Sequence, residues 1–439
     1  MRLTALLGSV LLAAACGAPG EEAPLLKISG SAVGAEGEIL ARQIARFQQA
    51  SPGLHIEIQR TPDDATQRHQ LYVQWLNAHV GTPDILQLDV VWTPEFAAAG
   101  WILPLDRYAP PKNDFFPASL EANTWRGQLY AVPWFMDVGM LYWRTDLLSA
   151  PPATLEDLAA AARGSSGFVW QGARYEGLVT VFLEILGGYG GAILGPDHEV
   201  LVDAPPGVRA LTYLRDLIRQ EISPQEVLTW HEEETRFAFQ NGQALFLRNW
   251  PYAVPLLAGP ESRVAGRFAV APMPAGPGGT PTAALGGGQL AINAHSRFPE
   301  EAWKLVAFLT APEQMLERAE AVGQYPARRS VWSSPRLAAA LQQPPEQVLR
   351  IIESAAPRPA TPVWTELSEI LQIWLHRALA GQAEPEAALR EAAREMELVI
   401  ERSGLRRRSV QAPGRREGRC AELSSAGARA PDPETGVEP

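Results

Sequence analysis

The sequence predicts an α/β protein with two lobes that are connected by several crossings of the chain. Strand-like and helix-like segments alternate as β-α-β-α-β over residues 25–89, and a second α/β section begins with a strand at residues 167–170. The length of 439 residues exceeds what one ordinary core accommodates. Apolar residues make up 46% and charged residues 20%, which is typical of a packed globular chain.

The first residues have the pattern of a secretory leader. Residues 1–16 contain one arginine, then an apolar run, and then small residues that precede Cys16. The apolar run is too short for a membrane-spanning helix. The ending Leu-Ala-Ala-Ala-Cys resembles the lipobox of bacterial lipoproteins, in which Cys16 becomes the lipidated N-terminus. Residues 17–24 then form a flexible tether. The alternative is a plain secretory signal in which Cys16 has no role.

The first lobe begins with segments whose apolar spacing separates helices from strands. Leu40, Ile44 and Phe47 recur at helical spacing and define one apolar face. Residues 54–60 alternate apolar and polar side chains, as a half-buried strand does. The predicted order implies a parallel sheet with helices on its faces. Its segments are strands at 25–32, 54–60 and 84–89 and helices at 36–49 and 67–79.

The middle of the chain predicts a second α/β section, and the remainder is mostly helical. Residues 129–144 are two apolar runs that Asp137 separates, so its carboxyl group must face a cleft or a partner. A glycine-rich turn over residues 285–293 leads into a strand. The other predicted strands are 167–170 and 244–247, and the predicted helices are 176–186, 207–220, 232–240, 299–319, 344–355, 364–380 and 384–402.

Polar and aromatic residues follow the three strands of the first section. Glu36 follows the first strand, Arg68 the second, and Asp89 and Trp92 the third. In open α/β sheets, ligands bind at the carboxyl ends of the strands, so these side chains are expected at one edge. Each also has a structural explanation: Glu36 as a helix N-terminal charge, Arg68 as a surface residue and Trp92 as core.

The composition and the absence of several motifs exclude a number of function classes. The net charge of −11 argues against a protein that neutralises nucleic-acid phosphates, and the two cysteines, Cys16 and Cys420, exclude a cysteine-based zinc site. The sequence contains no P-loop, no G-x-S-x-G and no G-x-G-x-x-G that opens a helix. Acids, arginines, asparagines and 13 tryptophans remain, and such a set suits a neutral polyol such as a sugar. No cofactor or metal is expected.

Several motifs together resemble the extracellular solute-binding proteins of ABC sugar importers, in particular the trehalose/maltose-binding group. The resemblance runs from about residue 26 to residue 402. It implies a periplasmic-binding-protein fold of type II-like topology, with two mostly parallel sheets, hinge crossings and lobes that close on a sugar. The motifs that carry it are DILQLDVVW (84–92), GWILPLD (100–106), PWFMDVGMLY (133–142), GFVWQG with YEGL (167–178), FQNGQA (239–244), RNWPY (248–252), LGG (285–287) and PRP (357–359).

The resemblance also implies the residues of the binding site. Trp250 would be a stacking platform, Gly287 would offer a backbone amide, and Arg358 would close the far side. Asp137 would lie at the first crossing. The full set is Glu36, Arg68, Asp89, Asp137, Tyr175, Glu176, Trp250, Gly287 and Arg358.

Two positions depart from the family pattern. Phe135 stands where a tyrosine hydroxyl is common, and Gly288 stands where relatives often have tryptophan. One indole wall is therefore missing. The site is then roomier, admits a differently linked sugar, or is refilled by Trp364.

The resemblance divides the chain into lobes. Lobe one comprises residues 25–136 and 287–340, and lobe two comprises residues 137–286 and 341–403. From residue 404 onwards, arginine runs with glycine, proline and serine predict a disordered tail that contains Cys420.

The resulting hypothesis is a monomeric, extracytoplasmic lipoprotein that captures an α-linked disaccharide and delivers it to an ABC permease. It is neither an enzyme nor a nucleic-acid binder. Two alternatives stay open: a binding protein for another sugar, an oligosaccharide, a polyol or glycerol phosphate, and a secreted glycoside hydrolase with a carboxylate pair such as Asp89 and Asp137.

Overall fold

The computed structural model describes residues 24–30, 34–62, 65–164 and 167–406. The predicted leader with Cys16, most of the predicted tether and the predicted tail beyond residue 406 lie outside these ranges. Among the described helices, none has the length and apolar character that a membrane span requires.

The first part of the chain alternates strands and helices in the predicted order. Its elements are β1 (Leu25–Gly30), α1 (Gly34–Ala50), β2 (His55–Arg60), α2 (Ala65–Asn77), β3 (Ile85–Asp89), α3 (Thr93–Ala98), α4 (Pro117–Ala122), β4 (Thr124–Trp125), β5 (Gln128–Leu129), β6 (Ala131–Pro133), β7 (Phe135–Val138), β8 (Met140–Arg144), α5 (Leu155–Ala162) and β9 (Phe168–Val169).

The second part is richer in helices. Its elements are α6 (Glu176–Gly188), α7 (Pro205–Arg219), α8 (Glu232–Gln240), β10 (Phe246–Asn249), α9 (Ala253–Ala258), β11 (Phe268–Ala271), β12 (Ala283–Gly286), β13 (Gly288–Ile292), α10 (Pro299–Leu309), α11 (Pro312–Val322), β14 (Tyr325–Pro326), α12 (Pro335–Leu341), α13 (Pro345–Glu353), β15 (Ala355–Ala356), α14 (Trp364–Leu379) and α15 (Pro385–Ser403).

The first sheet has the strand order β2-β1-β3-β13-β6. β1 pairs in parallel with β2 and β3, whereas β13 runs antiparallel to both of its neighbours. The predicted apolar face of α1, formed by Leu40, Ile44 and Phe47, is buried. Because β1, β2 and β3 are parallel, their carboxyl ends lie at the same edge of the sheet, and Asp89 is the last residue of β3 there.

The second sheet has the order β11-β8-β10-β9. β8 runs antiparallel to both of its neighbours, and only β9 and β10 pair in parallel, so the prediction that this sheet is mostly parallel is wrong. α6 is buried along almost its whole length because α7, α14 and β12 all pack against it. A helix that is apolar on all sides belongs in the interior, and α6 forms the centre of this lobe.

A third sheet, β14-β7-β12-β15, lies where the chain passes from one lobe to the other. β7 connects β6 of the first sheet to β8 of the second, and β12 leads directly into β13. Asp137 on β7 pairs with Gly286 on β12. The two-lobed α/β fold with hinge crossings is thus confirmed, while the residue limits of the lobes stay predictions.

One predicted element is wrong. The single helix expected over residues 299–319 is two helices, α10 and α11, separated at Thr310 and Ala311. Pro312 has no backbone N–H and restricts the residue before it, so Ala311 adopts an extended conformation. Beyond α15, Arg406 pairs with Glu397 and donates to the carbonyl of His198.

Candidate functional site

A cleft lies between the two lobes, above the crossing strands. It consists of two adjoining cavities of about 450 and 670 Å³, named here the inner and outer cavity. Both are lined by Arg68, Asp89, Asp137, Trp250 and Gly287. The carboxyl end of β3 and the hinge strands therefore meet at the floor of one site, as the strand-end argument predicts.

All of the predicted site residues line this cleft. Glu36 lines the outer cavity, and Tyr175, Glu176 and Arg358 line the inner cavity. Trp92 does not line it, so its predicted place at this edge is wrong. Its indole is 5% exposed and packs below the Arg68 guanidinium, 5.3 Å from the ring centroid.

The buried Arg358 connects the two lobes through two partly buried ion pairs. Its Nη1 lies 2.7 Å from Glu176 Oε1, and its Nη2 lies 3.1 Å from Asp89 Oδ1. Burial lowers the pKa of Arg358, but the two carboxylates outweigh this effect and raise the pKa above its usual value. The guanidinium therefore stays charged and holds a carboxylate of each lobe.

Glu176, at the start of α6, is also held by α14. The buried Trp364 donates its indole N–H to Glu176 Oε1 at 3.0 Å, and Ser368 donates to the other carboxylate oxygen. Trp364 is 1% exposed and lines neither cavity. The expectation that Trp364 refills the space beside Gly288 is therefore wrong, because its ring orients Glu176 instead.

Tyr175 closes the inner cavity over the N-terminus of α6. Its ring lies 4.3 Å from that of His231, and a Cβ at position 177 would come within 2.2 Å of its hydroxyl. Gly177 is therefore what allows the ring to fold back. Burial raises the pKa of Tyr175 well above its usual value, and the neighbouring Glu232 carboxylate raises it further, so the hydroxyl stays protonated.

Trp250 is a half-buried indole whose orientation is fixed from several sides. The Arg248 guanidinium lies 4.0 Å from its ring centroid, its indole N–H donates to Glu232 Oε1 at 3.2 Å, and its carbonyl accepts from the Tyr142 hydroxyl at 2.6 Å. Arg248 is itself fully buried and paired with Glu184. Sequence reasoning missed this pair, although an arginine inside an apolar strand was a signal for it.

The space left by Gly288 is filled by Phe135. A Cβ at position 288 would lie 2.4 Å from Cε1 and 2.6 Å from Cζ of the Phe135 ring. The ring packs beside Trp134, and the buried Arg318 guanidinium lies 3.9 Å from the Trp134 centroid and 5.5 Å from that of Phe135. An aromatic wall is thus present, but it comes from β7 rather than from β13.

Three carboxylates are gathered at the cleft floor. Burial raises the pKa of Asp137 to about 7, and the charges of Glu36 and Asp89 contribute to this increase. Arg318 acts against it, and burial lowers the pKa of this guanidinium to about 10. Arg318 was missed in the sequence, where the only signal is an arginine on the buried face of α11.

Replacing Asp137 by asparagine is expected to stabilise the unliganded protein at pH 8, by about 1 kcal/mol or more. The pKa of an unfolded aspartate is about 3.9, whereas burial raises the pKa of the folded Asp137 to about 7. Between these values the folded state binds more protons, so stability falls as the pH rises through this window. Thermal unfolding of Asp137→Asn without sugar should therefore show a larger gain at pH 8 than at pH 5.

The control for this effect is Asp146→Asn. Arg144 lowers the pKa of the Asp146 carboxyl group through a hydrogen-bonded ion pair, so its removal should give no gain at pH 8. Equal shifts of Asp137→Asn at both pH values would contradict the burial of its charge.

The cleft offers binding groups rather than a reaction centre. Carboxylates accept from hydroxyl groups, guanidinium groups donate, and an indole presents a flat apolar face. Asp89, one of the two carboxylates considered for hydrolysis, is ion-paired with Arg358. In the described ranges, no group of three or more His, Cys, Asp or Glu is arranged to hold a metal ion.

The fold has two α/β lobes around a polar cleft, with hinge strands at the floor of the cleft. This arrangement defines a ligand-binding protein whose lobes close on the ligand by a hinge motion. The family model for bacterial extracellular solute-binding proteins matches residues 31–316. The chain belongs to this family, and it is an extracytoplasmic binding protein rather than an enzyme.

Individual relatives agree with this assignment. The chain is 35% identical over 360 residues to a probable ABC transporter-binding protein of Deinococcus radiodurans. This alignment covers 77% of this chain and 85% of the relative. Among solved structures, the chain is similar to maltose-bound MalE3 of T. maritima, with 40% identity and a TM-score of 0.80. The match covers 85% of this chain and 99% of MalE3. A solute-binding protein of Thermotoga lettingae bound with α-D-tagatose has 26% identity to this chain and a TM-score of 0.76. That match covers 86% of this chain and 99% of the other.

Proposed function

We propose that this protein captures an α-linked disaccharide of the maltose or trehalose type in the interlobe cleft and delivers it to an ABC permease. The observation that carries the proposal is Trp250, an indole held rigidly beside a floor of carboxylates and Arg68. The indole face suits the C–H side of a sugar ring, while the charged groups bind hydroxyl groups with charge-assisted hydrogen bonds.

The comparisons support a sugar as the ligand class. MalE3 of T. maritima, at 40% identity, was solved with maltose, and the Thermotoga lettingae protein was solved with a ketose. A micromolar site needs about −8 kcal/mol, which a stacking contact and several charge-assisted hydrogen bonds supply after ordering costs. Closure of the lobes on the sugar would then present the loaded form to the permease.

The proposal includes attachment to the membrane through Cys16. The lipobox-like ending at residue 16 is followed by eight residues up to the first described strand, which suits a short tether between a lipid and lobe one. The protein would act as a monomer, because one chain provides both walls of the cleft.

A thermal-shift screen over mono- and disaccharides tests the ligand class. A sugar present at about 100 times its Kd stabilises the folded state by about 2.7 kcal/mol. Maltose or trehalose should therefore raise the Tm by several degrees, whereas glycerol phosphate should not. The panel includes a ketose and a polyol, and the Kd of each hit is measured by calorimetry. No shift with any mono- or disaccharide would contradict the proposed function.

A further inference from the structure

Two histidine side chains meet on the surface of the first lobe, outside the cleft. His79 Nδ1 lies 2.9 Å from His295 Nε2, and the centroids of the two imidazole rings are 4.6 Å apart. The two residues are 216 positions apart in the chain, so no spacing motif indicates the pair. His79 is exposed and His295 is half-buried, which leaves the contact between the rings open to solvent.

The histidine pair lies at the edge of the first sheet that is opposite the cleft. Asp89 ends β3 at the cleft, whereas Ile85 begins β3 at the other edge and pairs there with the last residue of β13. His79 precedes β3 and His295 follows β13, so both belong to loops at that other edge. Neither histidine lines the inner or the outer cavity. A ligand of this pair is therefore separate from the ligand of the cleft.

The backbone of each loop fixes the position of its histidine. His79 follows α2 with a φ of 53°, the left-handed conformation in which histidine is enriched. The buried Asn293 joins the two loops, because its side-chain amide donates to the carbonyl groups of Val80 and Pro83, both at 3.0 Å. Its Oδ1 accepts from the backbone N–H of His295 at 2.9 Å. The two imidazoles therefore meet without any rearrangement of the loops.

The distance between the facing nitrogens is close to what a metal ion requires. A zinc ion binds imidazole nitrogens at about 2.0–2.1 Å, so two of them at a tetrahedral angle lie about 3.3 Å apart. The observed separation is 2.9 Å, so the rings need to move apart by only about 0.4 Å. With the protons on His79 Nε2 and His295 Nδ1, both facing nitrogens offer a lone pair.

The surroundings of the pair favour a cation of a particular class. Ser296, next to His295, donates to Oδ1 of the buried Asp84 carboxyl group at 2.6 Å, and the whole chain has a net charge of −11. Imidazole suits Zn²⁺, Cu²⁺ and Ni²⁺, whereas Mg²⁺ and Ca²⁺ prefer oxygen ligands. Structural zinc sites have four protein ligands, so a site with two binds more weakly and exchanges its metal.

We propose that His79 and His295 form a surface site for a divalent transition-metal cation such as Zn²⁺, which joins the loop after α2 to the loop after β13. The cation replaces the hydrogen bond between the rings with two coordinate bonds, and water completes its coordination. This inference does not depend on the proposed sugar-binding function.

The test is calorimetric titration of the full chain, free of any polyhistidine tag, with ZnCl₂. The wild type should bind one equivalent of zinc with a micromolar Kd. His79→Gln and His295→Gln should each weaken this binding at least about tenfold, because a single imidazole cannot chelate the ion. Both positions are at the surface, so thermal unfolding of the variants without zinc should match that of the wild type. MgCl₂ should give no binding heat.

The matched control is His55→Gln, which removes another exposed histidine, on β2. It should bind zinc as the wild type does. The inference is overturned if the wild type binds no zinc, if binding persists in His79→Gln or in His295→Gln, or if His55→Gln loses it as well. Failure of every sugar to bind would refute the proposed function and leave the zinc site unaffected.

Discussion

Replacement of Trp250 by alanine is expected to abolish sugar binding while the protein stays folded. The indole lines both cavities, so its loss removes the apolar face against which a ring stacks in either one. Truncation of a central aromatic contact typically costs about 2–4 kcal/mol, and the affinity should therefore fall at least about 30-fold. Calorimetry with the best ligand of the sugar panel measures the loss, and circular dichroism checks the fold.

Trp374 provides a matched control for this experiment. It is also half-buried, it donates its indole N–H to a glutamate (Glu395, 3.3 Å), and the Arg377 guanidinium lies 4.8 Å from its ring centroid. Because Trp374 lies on α14 and lines neither cavity, Trp374→Ala should keep its sugar affinity. A Trp250→Ala variant with nearly wild-type affinity would refute the assignment of the cleft as the sugar site.

Replacement of Arg358 by methionine is expected to lower the free energy of unfolding by about 3 kcal/mol and to weaken sugar binding. The Arg358 side chain is 3% exposed and neutralises Asp89 of one lobe and Glu176 of the other. Removal of the buried guanidinium leaves two partly buried carboxylates without a counter-charge, which is more costly than loss of a surface pair. Urea unfolding without sugar measures the stability, and calorimetry measures the affinity.

The control for this variant is Arg336→Met. Arg336 also bridges two glutamates, Glu313 and Glu320, but its side chain is 51% exposed, and such surface pairs contribute little. Its replacement should leave both the unfolding curve and sugar binding unchanged. If Arg358→Met unfolds at the same urea concentration as the wild type, Arg358 does not hold the lobes together.

The two variants separate two tasks of the cleft. Trp250 provides a surface for the ligand and is supported within lobe two by Arg248, Glu232 and Tyr142. Arg358 links the lobes, so its loss affects the folded protein even when no ligand is present. A binding protein that closes on its ligand needs both a rigid platform and a connection that determines how the lobes meet.

Much of the local structure could be predicted from the sequence. Apolar spacing located α1 and its buried face at Leu40, Ile44 and Phe47, and alternation located β2. The order of these segments implied parallel strands, whose carboxyl ends share one edge. For that reason, the sequence alone predicts Glu36, Arg68 and Asp89 at one site.

The supporting side chains could not be predicted in this way. Arg248 and Glu184 are 64 residues apart in the sequence, and only the tertiary fold brings these two side chains together. Arg318 lies on α11, which begins at Pro312 where the sequence predicted one continuous helix, and Trp92 is buried in the core although it follows a strand end. Spacing along the chain carries no information on such contacts.

The sequence by itself determined the two-lobed α/β class, the strand-end position of the polar residues and the missing side chain at position 288. The tertiary structure alone decided what replaces that side chain. Trp364 was the candidate that the sequence offered, but the hinge strand β7 brings the Phe135 ring against Gly288, whereas α14 turns Trp364 towards Glu176. The reason is steric: a close-packed interior leaves one volume beside Gly288, and only the backbone path determines which ring fills it.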